Sequence, residues 1–238
     1  MTAPAADPVR LPVMLQRWEA ITFVHWRYDA ATLRPLIPRR LEVEVCDGSA
    51  WISLVLFRMR IAPPGVPAAF ALNSVPETNL RTYVLDPDGR PGLWFRSLDV
   101  GSRALAAAAR ALYRLPYHHA DMSVESQDGV TVYRSRRRHR RRRADVSVRA
   151  RIGERLPQRS LRRLDHFLTA RFELVTGAGP LVLRARVEHP RWSLRRAAAA
   201  EIDETLVAAA GLPPASGEPL LHAADHVDVR VGPLLPVL

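Results

Sequence analysis

The chain contains no lysine: all 35 of its basic residues are arginine. No side-chain amine is therefore present to form a Schiff base, because a guanidinium stays protonated and is not a nucleophile. Cysteine is nearly missing as well. Cys46 stands alone, which excludes an internal disulfide and fits a reducing, cytoplasmic setting. It precedes a turn with no basic partner nearby in sequence, so it reads as a small apolar filler rather than a nucleophile. No run of about 18 apolar residues occurs, so neither a spanning helix nor a membrane partner is expected. The Ala/Pro-rich start, residues 1–10, has no apolar stretch of the kind a signal peptide needs.

With 238 residues, 47% hydrophobic and 25% charged, the composition suits one globular domain with a sizeable core. The expected layout is a flexible N-terminal segment over residues 1–16 and a single domain over 17–238. The net charge is +11, but it is concentrated. Residues 134–143 read Arg-Ser-Arg-Arg-Arg-His-Arg-Arg-Arg-Arg, and little excess remains elsewhere. That block could attract phosphates. It lacks interleaved aromatics for base stacking, and no helix-turn-helix or finger motif accompanies it. The expectation is a solvated hairpin tip, with nucleic acid not expected as a partner; the alternative is a polyanion- or nucleic-acid-binding module built on the 134–143 hairpin.

Asp47-Gly48, Asp88-Gly89 and Asp128-Gly129 each separate strand-like runs and predict hairpins. Leu41–Cys46 would pair with Ala50–Ile61, Leu80–Leu85 with Gly92–Leu98, and Asp121–Ser126 with Val130–Ser135. Further strands are expected over Ala20–Trp26, Ala144–Ile152, Phe172–Thr176, Leu181–Glu188 and Val227–Val231. Helices are expected over Ser102–Tyr113 with Ser102 as N-cap, over Ser160–Ala170, and over the alanine-rich Arg196–Ala210, which stops at Gly211. Short antiparallel strands with a few interspersed helices give an α+β, mainly β chain, built as a barrel or a sandwich.

The most informative stretch is Glu77, Asn79, Arg81 and Tyr83, alternating with Thr78, Leu80, Thr82 and Val84. In a strand this spacing puts an acid, an amide, a guanidinium and a phenol on one face. Turned toward an interior, that face is a small-molecule site, with Glu77 as acid or base and Arg81 as a clamp for an oxyanion or carbonyl. Used structurally, it is a Glu–Arg pair that holds strand register.

Several blocks together resemble the YqjF-like family of uncharacterised bacterial proteins, within the acetoacetate-decarboxylase-like superfamily. They are Phe23-Val24-His25-Trp26, Asp47-Gly48-Ser49-Ala50-Trp51, Glu77-Thr78-Asn79-Leu80-Arg81-Thr82-Tyr83-Val84, Ser97-Leu98-Asp99, Leu115-Pro116-Tyr117 and residues 164–172. The resemblance covers about residues 17–231. It implies an antiparallel cone-like β-barrel with flanking helices and a central cavity. Decarboxylases of that superfamily carry a Schiff-base lysine in a Phe/Tyr-Pro-Lys-Lys motif, and the similar segment here reads Leu115-Pro116-Tyr117-His118. The resemblance thus implies a retained cavity with changed chemistry. Glu77 resembles the carboxylate that lines the decarboxylase cavity.

The catalytic candidates are Glu77, Tyr117 and His118; the substrate-binding candidates are His25, Asn79, Arg81 and Tyr83. His118 titrates near neutrality and suits acid–base work. His222 and His226 have a four-residue spacing that serves a metal only on a helix, and they precede a strand, so no metal and no cofactor are expected. The expected partner is a small acid or carbonyl compound, and nothing in the sequence speaks against a homo-oligomer. As a non-catalytic ligand sensor, the chain would instead turn Trp26, Trp51 and Trp94 into an apolar cavity.

Overall fold

Runs rich in valine, leucine and phenylalanine, broken by Asp-Gly and proline, build the strands of a mainly-β α+β fold. The computed structural model describes residues 8–137, 143–178, 181–215 and 217–237. Its strands are β1 (Met14–Tyr28), β2 (Glu42–Val43), β3 (Ala50–Ala62), β4 (Ser74–Leu85), β5 (Pro91–Val100), β6 (Tyr117–His119) and β7 (Asp121–Gln127). They continue as β8 (Val130–Arg136), β9 (Asp145–Arg155), β10 (Glu173–Ala178), β11 (Leu181–Glu188), β12 (Leu194–Glu204), β13 (Leu220–Val231) and β14 (Leu235–Pro236). The helices are α1 (Ala30–Leu33), α2 (Arg103–Tyr113), α3 (Arg163–Thr169) and α4 (Leu206–Ala209). No helix among the described residues is long and apolar enough to cross a membrane.

The strands pair in the order β14-β11-β10-β5-β4-β3-β1-β13-β12-β9-β8-β7, and a further β11–β13 pairing closes part of this path into a ring. Strands β12, β9, β8 and β7 run on from β13 and cover the outer face of the ring. Tyr133 on β8 fastens this cover, its hydroxyl lying 2.8 Å from Thr22 Oγ1 and donating to Ala20 O at 2.7 Å. One apolar core lies outside the ring, with Leu54, Leu56, Leu80, Val84 and Val148. A second lies within it, with Phe23, Val55, Phe57, Leu98 and Val229. Strands β3 and β4 are therefore buried on both faces.

Two of the Asp-Gly hairpins form as expected, β4–β5 and β7–β8. Asp128 (φ 51°) and Gly129 (φ 74°) both take positive φ, as a type I′ turn requires. The first differs. The Asp47-Gly48 turn closes only a Cys46–Ser49 bridge, and β2 pairs with β4 rather than β3. The reason is supply of partners: the β3 ladder on β4 ends at Ile52–Thr82, leaving Val84 and Leu85 free for β2. The helix expected over Arg196–Ala210 is instead β12 followed by the short α4. Its alanines favour helix by only tenths of a kcal/mol each, roughly, and pairing with both β9 and β13 outweighs that. Ser102 does cap α2, its hydroxyl accepting from Leu105 N at 3.3 Å.

The chain enters the fold earlier than residue 17. Val9 is buried and its N–H donates to Glu188 Oε2 at 2.6 Å, and β1 begins at Met14. Of the expected flexible segment, residues 1–7 lie outside the described residues. So do residues 138–142 of the arginine block, whose flanks are strands β8 and β9. One member of the block departs from the solvated reading. Arg137 is 4% exposed, and its Nε donates to Asp99 Oδ1 at 2.5 Å. Its guanidinium also bonds Ser97 Oγ, and Ser135 Oγ donates to Asp99 Oδ2 at 3.1 Å. Burial raises the Asp99 carboxyl, against the pull of Arg137 and Ser135.

Removing one partner of a buried pair strands the other charge. Arg137→Met is expected to destabilise the fold by about 3–5 kcal/mol, with part of the loss recovered in an Asp99→Asn/Arg137→Met double variant. Denaturant melts check this, and an Arg137→Met protein as stable as the parent would contradict it.

Candidate functional site

Strand β4 presents Glu77, Asn79, Arg81 and Tyr83 to the inside of the ring, and all are buried, at 4%, 3%, 5% and 0% exposure. Their neighbours across β3 are Phe57, Val55 and Ser53, and across β5 they are Val100, Leu98 and Phe95. A bulge between Leu80 and Arg81 leaves Arg96 as the extra residue on β5. Its guanidinium turns away and donates to Leu36 O and Ala210 O at 3.0 and 2.8 Å. Bulges of this kind re-aim side chains beside a site.

A cavity of about 140 Å³ lies against Glu77, Asn79 and Arg81. Val55, Phe57, Met59, Trp18 and Trp192 supply much of its apolar wall, and Leu105, Ala109 and Leu112 of α2 border it. Leu112 is exposed, so the cavity reaches solvent along α2. Tyr117 on β6 sits beside Leu98 of β5 in a parallel pairing, which places its ring inside. The Tyr117 hydroxyl donates to Glu77 Oε2 at 2.8 Å, and Asn79 Nδ2 donates to Glu77 Oε1 at 3.1 Å.

Charge is poorly compensated here. Burial pushes the Glu77 carboxyl from 4.5 up to about 7, against the opposing hydrogen bonds of Tyr117 and Asn79 and the Arg81 charge. Tyr117 is held well above its usual range by burial and by Glu77, so it remains a donor. Arg81 pairs with no carboxylate at salt-bridge distance among the described residues; its recorded backbone contact is Nη2 to Leu168 O at 3.4 Å. Its Nε and the Asn79 Oδ1 have no hydrogen-bond partner. Burying an ion without a counter-charge costs several kcal/mol.

Beneath this row the ring is closed by a polar floor. Tyr83 OH donates to Leu168 O of α3 at 2.7 Å and lies 2.5 Å from Ser53 Oγ, which is 2.6 Å from His25 Nδ1. His222 Nε2 contacts Asp165 Oδ1 of α3 at 3.0 Å, and the two imidazoles meet edge-on at 5.3 Å. His25 is driven well below 6.5 by burial, then by His222 and Arg81, and is neutral. Burial alone would raise Asp165, but hydrogen bonds from His222 and Arg162 outweigh it and hold the carboxyl at about 2.

Of the sequence-predicted residues, the cavity wall brings together Glu77, Asn79, Arg81 and Tyr117. His25 and Tyr83, expected to touch substrate, are floor residues that do not line the cavity: His25 Nδ1 lies against Ser53 and Tyr83 OH against Ser53 and α3, while His25 Nε2 has no hydrogen-bond partner. His118 alternates with Tyr117 along β6 and is not among the lining residues. The tryptophans are also exchanged. Trp26 packs in the outer core, Trp94 packs against it, and Trp51 lies in a separate cluster under α3. Trp18 and Trp192 line the cavity. Trp18 follows Met14 and Gln16 at period 2 and was legible once β1 is extended to Met14. Trp192 sits in the connection after β11, where no periodicity could flag it. Cys46 is buried, and burial, then Asp47, pushes its thiol up. His222 and His226 lie on strand β13, the first buried and the second exposed.

The Glu77 carboxyl carries a stability signature. Between about 4.5 and 7 the folded chain holds a proton that the unfolded chain releases, so stability falls as pH rises through this window. The loss totals about 3 kcal/mol. Glu77→Gln is expected to remove it, leaving the variant relatively more stable at pH 8 than at pH 4.5. Parallel pH profiles of parent and variant in denaturant melts would contradict this.

A model of the family DUF2071, described as an uncharacterized conserved protein, matches residues 15–228. The chain is 33% identical over 223 residues to the uncharacterized protein YqjF of Bacillus subtilis (strain 168), spanning 93% of this chain and 91% of that one. An acetoacetate decarboxylase-like enzyme from Sphingomonas wittichii RW1 superposes with a TM-score of 0.64 at 13% identity, covering 97% of this chain and 95% of the other. The enduracididine biosynthesis enzyme MppR, solved with pyruvate, superposes at 0.63 and 13% identity, covering 97% and 92%. At these identities the likeness establishes an acetoacetate-decarboxylase-like fold.

Proposed function

The chain belongs to the DUF2071 family, and we propose that this member binds a small carboxylic acid or carbonyl compound in the cavity beside Arg81. One observation carries the reading: a buried guanidinium with an unpartnered Nε, met by no carboxylate at ion-pair distance among the described residues, lines the cavity. An anionic or strongly polarised oxygen supplies what Arg81 lacks, through charge-assisted hydrogen bonds. Asn79 Oδ1 is left to accept from a hydroxyl or enol. In this reading the ring of strands is the cone-like barrel of the decarboxylase-like proteins, and the pyruvate in MppR is a ligand of the kind expected.

Glu77 is the acid–base group. With its carboxyl near 7, both protonation states are present at neutral pH, which suits giving or taking a proton next to a carbonyl. An imine route is closed, since the sequence holds no lysine. Tyr117 stands where the resemblance places the decarboxylase lysine, and it holds the Glu77 carboxyl at 2.8 Å.

Titration calorimetry with pyruvate tests the binding. Arg81→Gln is expected to weaken affinity by roughly tenfold or more; unchanged affinity would sink the proposal. Exchange of the pyruvate methyl protons in deuterated water, followed by proton NMR, tests the chemistry. Glu77→Gln is expected to slow that exchange about a hundredfold while leaving pyruvate bound, and equal rates would remove Glu77 from its role.

A further inference from the structure

The cavity wall contains more polar side chains than Glu77, Asn79 and Arg81, but the others already have partners in the protein. Trp18 Nε1 donates to Gln16 Oε1 at 2.8 Å, and Trp192 Nε1 donates to Thr169 O at 2.8 Å. The His189 ring, pushed down by burial and therefore neutral, faces the carbonyl oxygens of Pro190 at 2.8 Å and Arg171 at 3.2 Å and donates its one N–H to one of them. Arg171 donates to Phe167 O and pairs with Glu44 at 2.8 Å, and Tyr113 OH donates to Gly232 O at 3.2 Å. Thr169 Oγ1 donates to Asp165 O at 2.7 Å.

What these residues offer a ligand is therefore ring faces and hydrocarbon. Trp18 and Trp192 stack at 6.2 Å, and Trp18 packs on Phe57 at 5.1 Å. Unmet polar demand exists at one end only, where Asn79 Oδ1 and Arg81 Nε stand free. A charged or polar group on the ligand's tail would be buried among apolar side chains and left unpaired, which is heavily penalised. The volume, about 140 Å³, is close to the roughly 150 Å³ apolar hollow that holds a benzene ring.

We infer that the ligand is a monocarboxylate, such as a 2-oxo acid, with an apolar tail of about ring size and no polar group on that tail. This rests on the assignment of Arg81 to a carboxylate. The carboxylate lies on Arg81, an enol or hydroxyl next to it donates to Asn79 Oδ1, and the tail runs between Trp18, Trp192 and Phe57 toward α2. Dicarboxylates, free amino acids and polyhydroxylated acids are disfavoured.

Calorimetry on the full chain with four probes decides it: pyruvate, phenylpyruvate, 2-oxoglutarate and phenylalanine. Phenylpyruvate is expected to bind roughly tenfold tighter than pyruvate, or better, with 2-oxoglutarate and phenylalanine weaker than phenylpyruvate by at least as much. Ala109→Phe, at the α2 wall, is expected to cancel the advantage of phenylpyruvate and to leave pyruvate affinity in place. If phenylpyruvate binds no tighter than pyruvate while Arg81→Gln abolishes both, the tail assignment is overturned and the carboxylate assignment stands. If 2-oxoglutarate matches phenylpyruvate, the exclusion of a polar group on the tail is overturned. If none of the probes binds, both assignments fall.

Discussion

The burial of β4 on both faces governs the rest of the molecule. A strand with one solvated face can shed its charges into water. This one has Leu80 and Val84 packed in the outer core and Glu77, Asn79 and Arg81 against the inner one. Its polar residues have no exit, so they must be paired, neutralised or left for a guest. Tyr117 and Asn79 bind Glu77, burial keeps its proton near neutrality, and Arg81 remains with little. The site follows from the strand's position between two cores.

The polar floor serves that arrangement from below. Tyr83 and Ser53 tie β4 and β3 to α3, while Asp165 and His222 tie α3 to β13. Side chains locked this way hold the overlying row in register, which positions a reacting group better than loops do. Neutral His25 adds no second cation beneath Arg81. The Asp99–Arg137 pair plays a comparable part at the edge of β5, bonding it to the base of the arginine-rich hairpin.

Much of this was legible in the chain and some was not. Period-2 alternation located the inner face of β4, because four consecutive odd positions carry polar groups of different kinds. Asp-Gly pairs located two hairpins, one through the type I′ turn at Asp128-Gly129 and one through a longer Asp86–Arg90 loop in which Gly89 takes positive φ. The Leu-Pro-Tyr segment pointed to Tyr117. What failed shares one physical origin: long-range pairing. Alanines at 197–200 favour helix locally, yet β9 offered a ladder along Arg195–Glu204. Leu41–Cys46 lay beside a turn signal, yet free edge on β4 claimed Glu42 and Val43. His25 and Tyr83 have the right face but the wrong depth, and depth along a strand is set by how α3 seals the ring. Arg137 looks in sequence like the exposed Arg134 and Arg136, and only the facing Asp99 distinguishes it.

Helix α2 leaves from the end of β5 and returns, through β6, to pair alongside the same strand. Both of its ends are thus moored to one rail. A flap moored at two points cannot swing like a door, so the wall that α2 gives the hollow keeps its place against β5.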